Sequence, residues 1–108
     1  MRYRVVVKFM NSQEPGFRGF GRGIVQILEG IDEYGSLNRI AKEMGMAYSK
    51  AWRVLNECEE EFGVTLTVRD GARGSSLTDD ARVLISRYHE MLDAADTAAK
   101  KVFDKYYG

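Results

Sequence analysis

One cysteine, one histidine, one proline and no net charge among 108 residues already close off several kinds of chemistry. A single thiol, Cys58, cannot form an internal disulfide, and with His89 as the only imidazole no Cys/His zinc set can be assembled. His89 falls inside an amphipathic helical pattern, away from Cys58, so no nucleophile is paired with a base; no catalytic site, metal or cofactor is expected. Cys58 instead reads as a small buried hydrophobe. No apolar run approaches the roughly 18 residues of a membrane span, and the short run after Arg2 and Arg4 leads to no small-residue cleavage site. A cytoplasmic protein without membrane attachment is expected. With 44% hydrophobic and 30% charged residues, the chain has the composition of one globular domain with a single core.

The absence of net charge conceals an uneven distribution. Residues 1–23 carry five Lys/Arg against one acid, and residues 24–63 four against eight. Because the acids concentrate in "ECEEE", which reads as a solvated flank able to repel a polyanion, the bases elsewhere can still share one positive face.

Periodicity divides the chain into elements. "RYRVVVKF" predicts a strand over 2–9, and the glycines and lone proline of 11–23 predict a loop. The glycines of "GFRGFGRG" lack phosphate-loop spacing and no Gly-Lys-Ser/Thr follows, so a plain loop is expected, with Arg18 and Arg22 within reach of backbone phosphates. Ile24, Ile27, Leu28 and Ile31 predict a helix over about 22–34, ended by Gly35. Ser36 as N-cap and Leu37, Ile40, Ala41 and Met44 predict a second over 36–44. After Gly45 and Met46, the spacing of Ala51, Trp52, Leu55, Cys58 and Phe62 predicts a third over 47–62, with Trp52 in the core and Ser49, Lys50, Arg53 and Asn56 outward. "VTLTVRD", "GARG" and "SSLT" predict a hairpin over 64–77. A long helix over 78–108 follows, capped by Thr78, with Asp79 and Asp80 in its first turn where the helix dipole favours acids.

Two short helices joined by a glycine turn, with a polar start to the second, have the order of a helix-turn-helix, and the hairpin after them is that of a wing. The expected fold is mainly α with a small β component: a winged helix-turn-helix with a three-helix core and β-hairpin wing in 1–77, and a long C-terminal helix in 78–108. A helix entering a major groove about 12 Å wide needs hydrogen-bonding side chains in its first turns and core residues later. "AYSKAWRVL" has that division. Tyr48 either meets DNA or packs against Met46 and the turn. Arg69, Arg73 and Gly74 suit a wing that approaches phosphates, and Arg39, Lys42 and Arg22 suit weaker backbone contacts.

The run "ILEGIDEYGSLNRIAKEMGMAYSKAWRVLNECEEEFGVTL", with "SLT" opening the last helix, resembles the N-terminal DNA-binding domain of ModE-type molybdate-responsive regulators and, more distantly, LysR-type regulators, over residues 16–92. The resemblance implies a winged helix-turn-helix homodimer binding double-stranded DNA, with Tyr48, Ser49, Lys50 and Arg53 at the major groove and Arg69 to Gly74 in the wing. It also implies that the last helix dimerises, for which Leu84, Tyr88, Leu92, Ala95, Ala99 and Val102 offer a stripe stepping by three or four. Where these families often carry a serine to start the recognition helix this chain has Ala47, and Ser49 is expected to compensate. Neither a molybdate-binding domain nor a small-molecule effector is expected within this chain, whose last residue is Gly108. The expected function is sequence-specific DNA binding by a bacterial-type transcriptional regulator reading an inverted repeat. The alternative is a winged-helix protein-interaction or assembly module that binds no DNA.

Overall fold

A computed structural model describes residues 1–11 and 17–108; part of the loop expected over 11–23, residues 12–16, lies outside the described residues. Three helices come first: α1 (Arg22–Tyr34), α2 (Leu37–Glu43) and α3 (Tyr48–Phe62). α1 buries Ile24, Val25, Ile27, Leu28 and Ile31 and stops at Gly35, whose left-handed backbone (φ 67°) lets its N–H reach the Ile31 carbonyl. The Ser36 hydroxyl then accepts from the Arg39 N–H at 3.1 Å and starts α2. These two helices meet at Gly30, where a Cβ would stand 2.2 Å from Ile40 Cγ1. Any larger residue there would push α2 away.

α3 buries Ala51, Leu55 and Cys58 against this pair. Burial and the neighbouring charges of Glu59 and Glu61 push the Cys58 thiol up to about 12, as expected of a hydrophobe rather than a nucleophile. Strands β1 (Thr67–Arg69) and β2 (Ser75–Leu77) pair antiparallel, Thr67 opposite Leu77 and Arg69 opposite Ser75, around a 3₁₀ turn at Gly71–Arg73. The hairpin is fastened at both ends. Ser75 N–H donates to the Gly35 carbonyl at 2.8 Å, and Thr78 N–H donates to that of Leu66 at 3.0 Å. The Thr78 hydroxyl donates to the Thr65 carbonyl at 2.6 Å while accepting from Ala81 N–H, so one side chain closes the wing and caps α4 (Asp79–Tyr107).

Several expectations need correction. Among the described residues, 2–9 form no strand, and the segment makes one bridge, Phe9 to Phe20, with N–H to carbonyl distances of 3.2 and 2.7 Å. Val5, Val7 and Phe9 are half-buried while Arg4, Val6 and Lys8 are exposed, so the alternation is real. The segment packs against helices, whose backbone groups are already paired, and a sheet needs a neighbouring strand. "ECEEE" is not merely solvated: the Glu59 carboxylate accepts from Leu66 N–H at 2.7 Å and the Glu61 carboxylate from Asn11 N–H at 2.6 Å. Two of those acids fasten the lead into the wing and the N-terminal segment to the end of α3.

Leu84 and Tyr88 are 9% and 5% exposed and belong to the core with Phe20, which leaves them little surface to offer a partner chain. The first turns of α4 are needed to close the three-helix core, which the apolar stripe alone cannot reveal. Arg82 clamps Asp32 of α1 with two hydrogen bonds of 2.8 and 3.2 Å, and His89 Nε2 lies 3.2 Å from Glu29. Past Leu92, α4 runs beyond the core and gives the molecule its 53 Å long axis. Ala95 and Ala99 are half-buried there, Val102 is exposed, and Tyr3 packs its ring 4.8 Å from that of Phe103.

Candidate nucleic-acid interface

The turn between α2 and α3 is closed by backbone bonds: Gly45 N–H to the Lys42 carbonyl at 3.0 Å and Met46 N–H to that of Ala41 at 2.8 Å. α3 therefore leaves α2 with its first turns exposed. At about 100° per residue, its outer surface runs from Tyr48 and Trp52 on one edge, across Ser49 and Arg53, to Lys50 on the other. Ala51, Leu55 and Cys58 face the core. Tyr48, Ser49, Lys50 and Arg53 are all exposed, and so is Asn56.

On the Tyr48 edge stands the wing. The Arg69 guanidinium lies over the Trp52 ring, 4.7 Å from its centroid, and Nη2 donates to the Tyr48 hydroxyl. Neither open reading of Tyr48 foresees this contact, and Trp52 is half-buried, packed against the edge of the core rather than enclosed by it. The signal was present in the spacing, since Tyr48 and Trp52 are four apart and so share one helix edge. Arg69 thereby ties β1 to the start of α3 with its charge still at the surface. Gly35, Asn38, Tyr48, Arg69, Gly71 and Gly74 border a groove of about 300 Å³ between α2 and the wing. Asn38, on the exposed side of α2, is a candidate that the sequence pattern does not single out.

Arg73 sits at the wing tip, its side chain 86% exposed and 3.9 Å from Asp70. Gly74 does not face outward: with φ +86°, a Cβ there would lie 2.2 Å from the Gly35 carbonyl oxygen. Its part is to let the wing sit on the end of α1. On α2, Arg39 stacks over Tyr34 at 4.3 Å and Lys42 is exposed. Arg22 opens α1 on the other side, sharing a groove with Lys50 and Arg53. α3 itself begins without a side-chain cap at Ala47, and Ser49 does not compensate. It lies two positions past the cap, already inside the helix, where its hydroxyl is not placed to accept from the free N–H groups.

These exposed groups suit a polyanion. Charge-assisted donors sit on α3 and on the wing, while the acids of α3 begin only at Glu57, which lies 4.0 Å from Arg53. Among the described residues no group of three His, Cys, Asp or Glu side chains could hold a metal ion. None of the described helices is long and apolar enough to cross a membrane.

Comparison with known proteins gives the same architecture. The structure is similar to that of CbnR, a LysR family transcriptional regulator, with a TM-score of 0.59 and 20% identity, covering 74% of this chain and 27% of that one. It is also similar to the CbnR DNA-binding domain in complex with DNA (TM-score 0.61, 19% identity, 77% of this chain and 94% of that one). The BenM DNA-binding domain in complex with benA site 1 DNA is comparable (TM-score 0.58, 19% identity, 74% and 92%). At such identities the likeness establishes the winged-helix fold. This chain spans about a quarter of the length of the CbnR chain it matches. No curated protein sequence matches it. The sequence model of the bacterial regulatory helix-turn-helix proteins, lysR family, matches residues 24–82, more than half of the chain, and the chain belongs to that family.

Proposed function

We propose that this chain reads an inverted repeat in double-stranded DNA as a homodimer, with α3 in the major groove and the wing against the flanking backbone. Sequence-specific DNA binding by a transcription regulator is the function its family membership supports. The observation that carries the finer reading is the division of α3: Tyr48, Ser49, Lys50 and Arg53 exposed, Ala51, Leu55 and Cys58 buried, and Arg69 braced against the helix start. Lys50 and Arg53 are the base-reading candidates, because one bidentate pairing to guanine is worth about 1–3 kcal/mol of discrimination. Arg69 and Arg73 meet phosphates, Gly74 acts by seating the wing, and Arg39, Lys42 and Arg22 add backbone contacts.

Dimerisation is assigned to α4 beyond Leu92, where Ala95 and Ala99 allow close helix approach beside Val102, 58% exposed. A ModE-type affiliation rests on the sequence run over 16–92 alone, and a cytoplasmic location is part of the regulator reading proposed here. Selection of bound duplexes from random DNA tests the proposal. It predicts enrichment of an inverted repeat with half-sites about one helical turn, or a multiple, apart; recovery of no enriched sequence contradicts it.

A further inference from the structure

The edge of α3 opposite the wing faces residues that precede the family-matched region. Lys8 of the N-terminal segment, Arg18 and Arg22 before and at the start of α1, and Lys50 and Arg53 of α3 line one groove of about 560 Å³. Among the described residues that line it the one acid is Glu57, 4.0 Å from Arg53. Lys8, Arg18, Arg22 and Lys50 have no carboxylate partner among the described residues. Five cations around one concave surface repel one another, so the arrangement favours an incoming anion.

The N-terminal contribution is built rather than loose. The Phe9–Phe20 bridge fixes the segment, and Gly19, in the left-handed region at φ +96°, leaves room for Lys8, whose Cβ would stand 2.9 Å from a Cβ at that position. Phe9 also packs on Phe20 and Phe62, with ring centroids 5.0 and 5.8 Å apart. Wing and N-terminal segment thus flank the outer surface of α3 on opposite edges, Arg69 at one and Lys8 with Arg18 at the other.

We infer that this groove seats the sugar-phosphate backbone next to the half-site read by α3, making the N-terminal segment a second backbone clamp opposite the wing. The inference rests on the DNA-binding reading. Each phosphate neutralised adds about 0.9 to the slope of log K against log salt. Lys8→Gln/Arg18→Gln/Arg22→Gln in one chain therefore lowers the slope by about 2–3 and weakens binding on the order of 100-fold at 0.1 M salt. The preferred base sequence stays the same, because phosphate contacts carry no base information.

The test is a salt titration of wild type, the triple Gln variant and Lys50→Ala/Arg53→Ala on a selected duplex and on one trimmed at its flanks, with thermal unfolding as a control for folding. The expected result is that trimming weakens wild type but not the triple variant. If the folded triple variant keeps the wild-type slope while Lys50→Ala/Arg53→Ala loses affinity, the clamp is refuted and the DNA reading stands. Loss of base preference in the triple variant also refutes it. So does saturable stabilisation of wild type by inorganic phosphate with DNA binding unchanged in the triple variant, which identifies a free-anion site. If wild type binds no duplex, both fall together. Should the triple variant unfold, Arg18→Gln alone, at an exposed position, replaces it with an expected slope change of about 1.

Discussion

Replacing Arg69 with alanine removes two contacts that join the wing to α3: the guanidinium over Trp52 at 4.7 Å and the hydrogen bond to Tyr48. An exposed cation–π contact contributes about 0.5–1 kcal/mol, and the hydrogen bond a net of about 0.5–1.5 kcal/mol. Both are discounted by the entropy of holding a long exposed side chain, which leaves about 1 kcal/mol, or about 4–8 °C in Tm for a domain of this size. Trp52 is the only tryptophan, so its emission reports directly on the guanidinium above it. Arg69→Ala is expected to shift that emission in the folded protein. Urea unfolding followed by far-UV circular dichroism, for Arg69→Ala, Trp52→Leu and the double variant, isolates the pair. A coupling of about 0.5–1 kcal/mol is predicted; additive effects within error, with unchanged tryptophan emission in Arg69→Ala, refute the brace.

Three further outcomes follow from the same geometry. Burial that pushes the Cys58 thiol up to about 12 should hold its reaction with a thiol reagent at pH 8 to the rate of unfolding; fast labelling without denaturant contradicts that placement. The hydrogen bonds from Arg82 hold the Asp32 carboxyl below its ordinary 3.8, so the pair stabilises the fold above that value and the contribution is lost as pH falls through the lowered one. Asp32→Asn should therefore flatten the stability curve below about pH 4, and a curve as steep as wild type in denaturant titrations argues against the pair. Val102→Glu should yield folded monomers by analytical ultracentrifugation, whereas a persistent dimer rejects the α4 interface. Leu92→Glu is a poorer probe, because Leu92 also packs against the core.

How far the sequence can be read depends on whether a residue's partner is nearby along the chain. The four helices were legible because their periodicities, Ser36, Thr78, Gly35 and Gly63 are local signals. "RYRVVVKF" has the alternation of a strand, but whether it pairs depends on a neighbour more than ten residues away, and among the described residues only Phe9 finds one, in Phe20. Leu84 and Tyr88 look like the rest of the α4 stripe; only the packed structure separates the turns that close the core from those that extend past it. In the interface, exposure of Ser49, Lys50 and Arg53 was readable from helical spacing. The Arg69 contact to Tyr48 and Trp52, spanning 21 and 17 positions, was not. The roles of Glu59 and Glu61 were hidden because a carboxylate in an acidic run gives no sign of which N–H it will accept.

The central claim is that the outer face of α3 reads DNA. Its most direct measurement is a salt titration of wild type and Lys50→Ala/Arg53→Ala against a selected duplex and a scrambled one of equal length, both proteins first confirmed folded by thermal unfolding. The account predicts steeply salt-dependent binding by wild type, a clear preference for the selected duplex, and loss of most of that preference in the variant. Equal affinity of both proteins for both duplexes, or no salt-dependent binding by wild type, would contradict it.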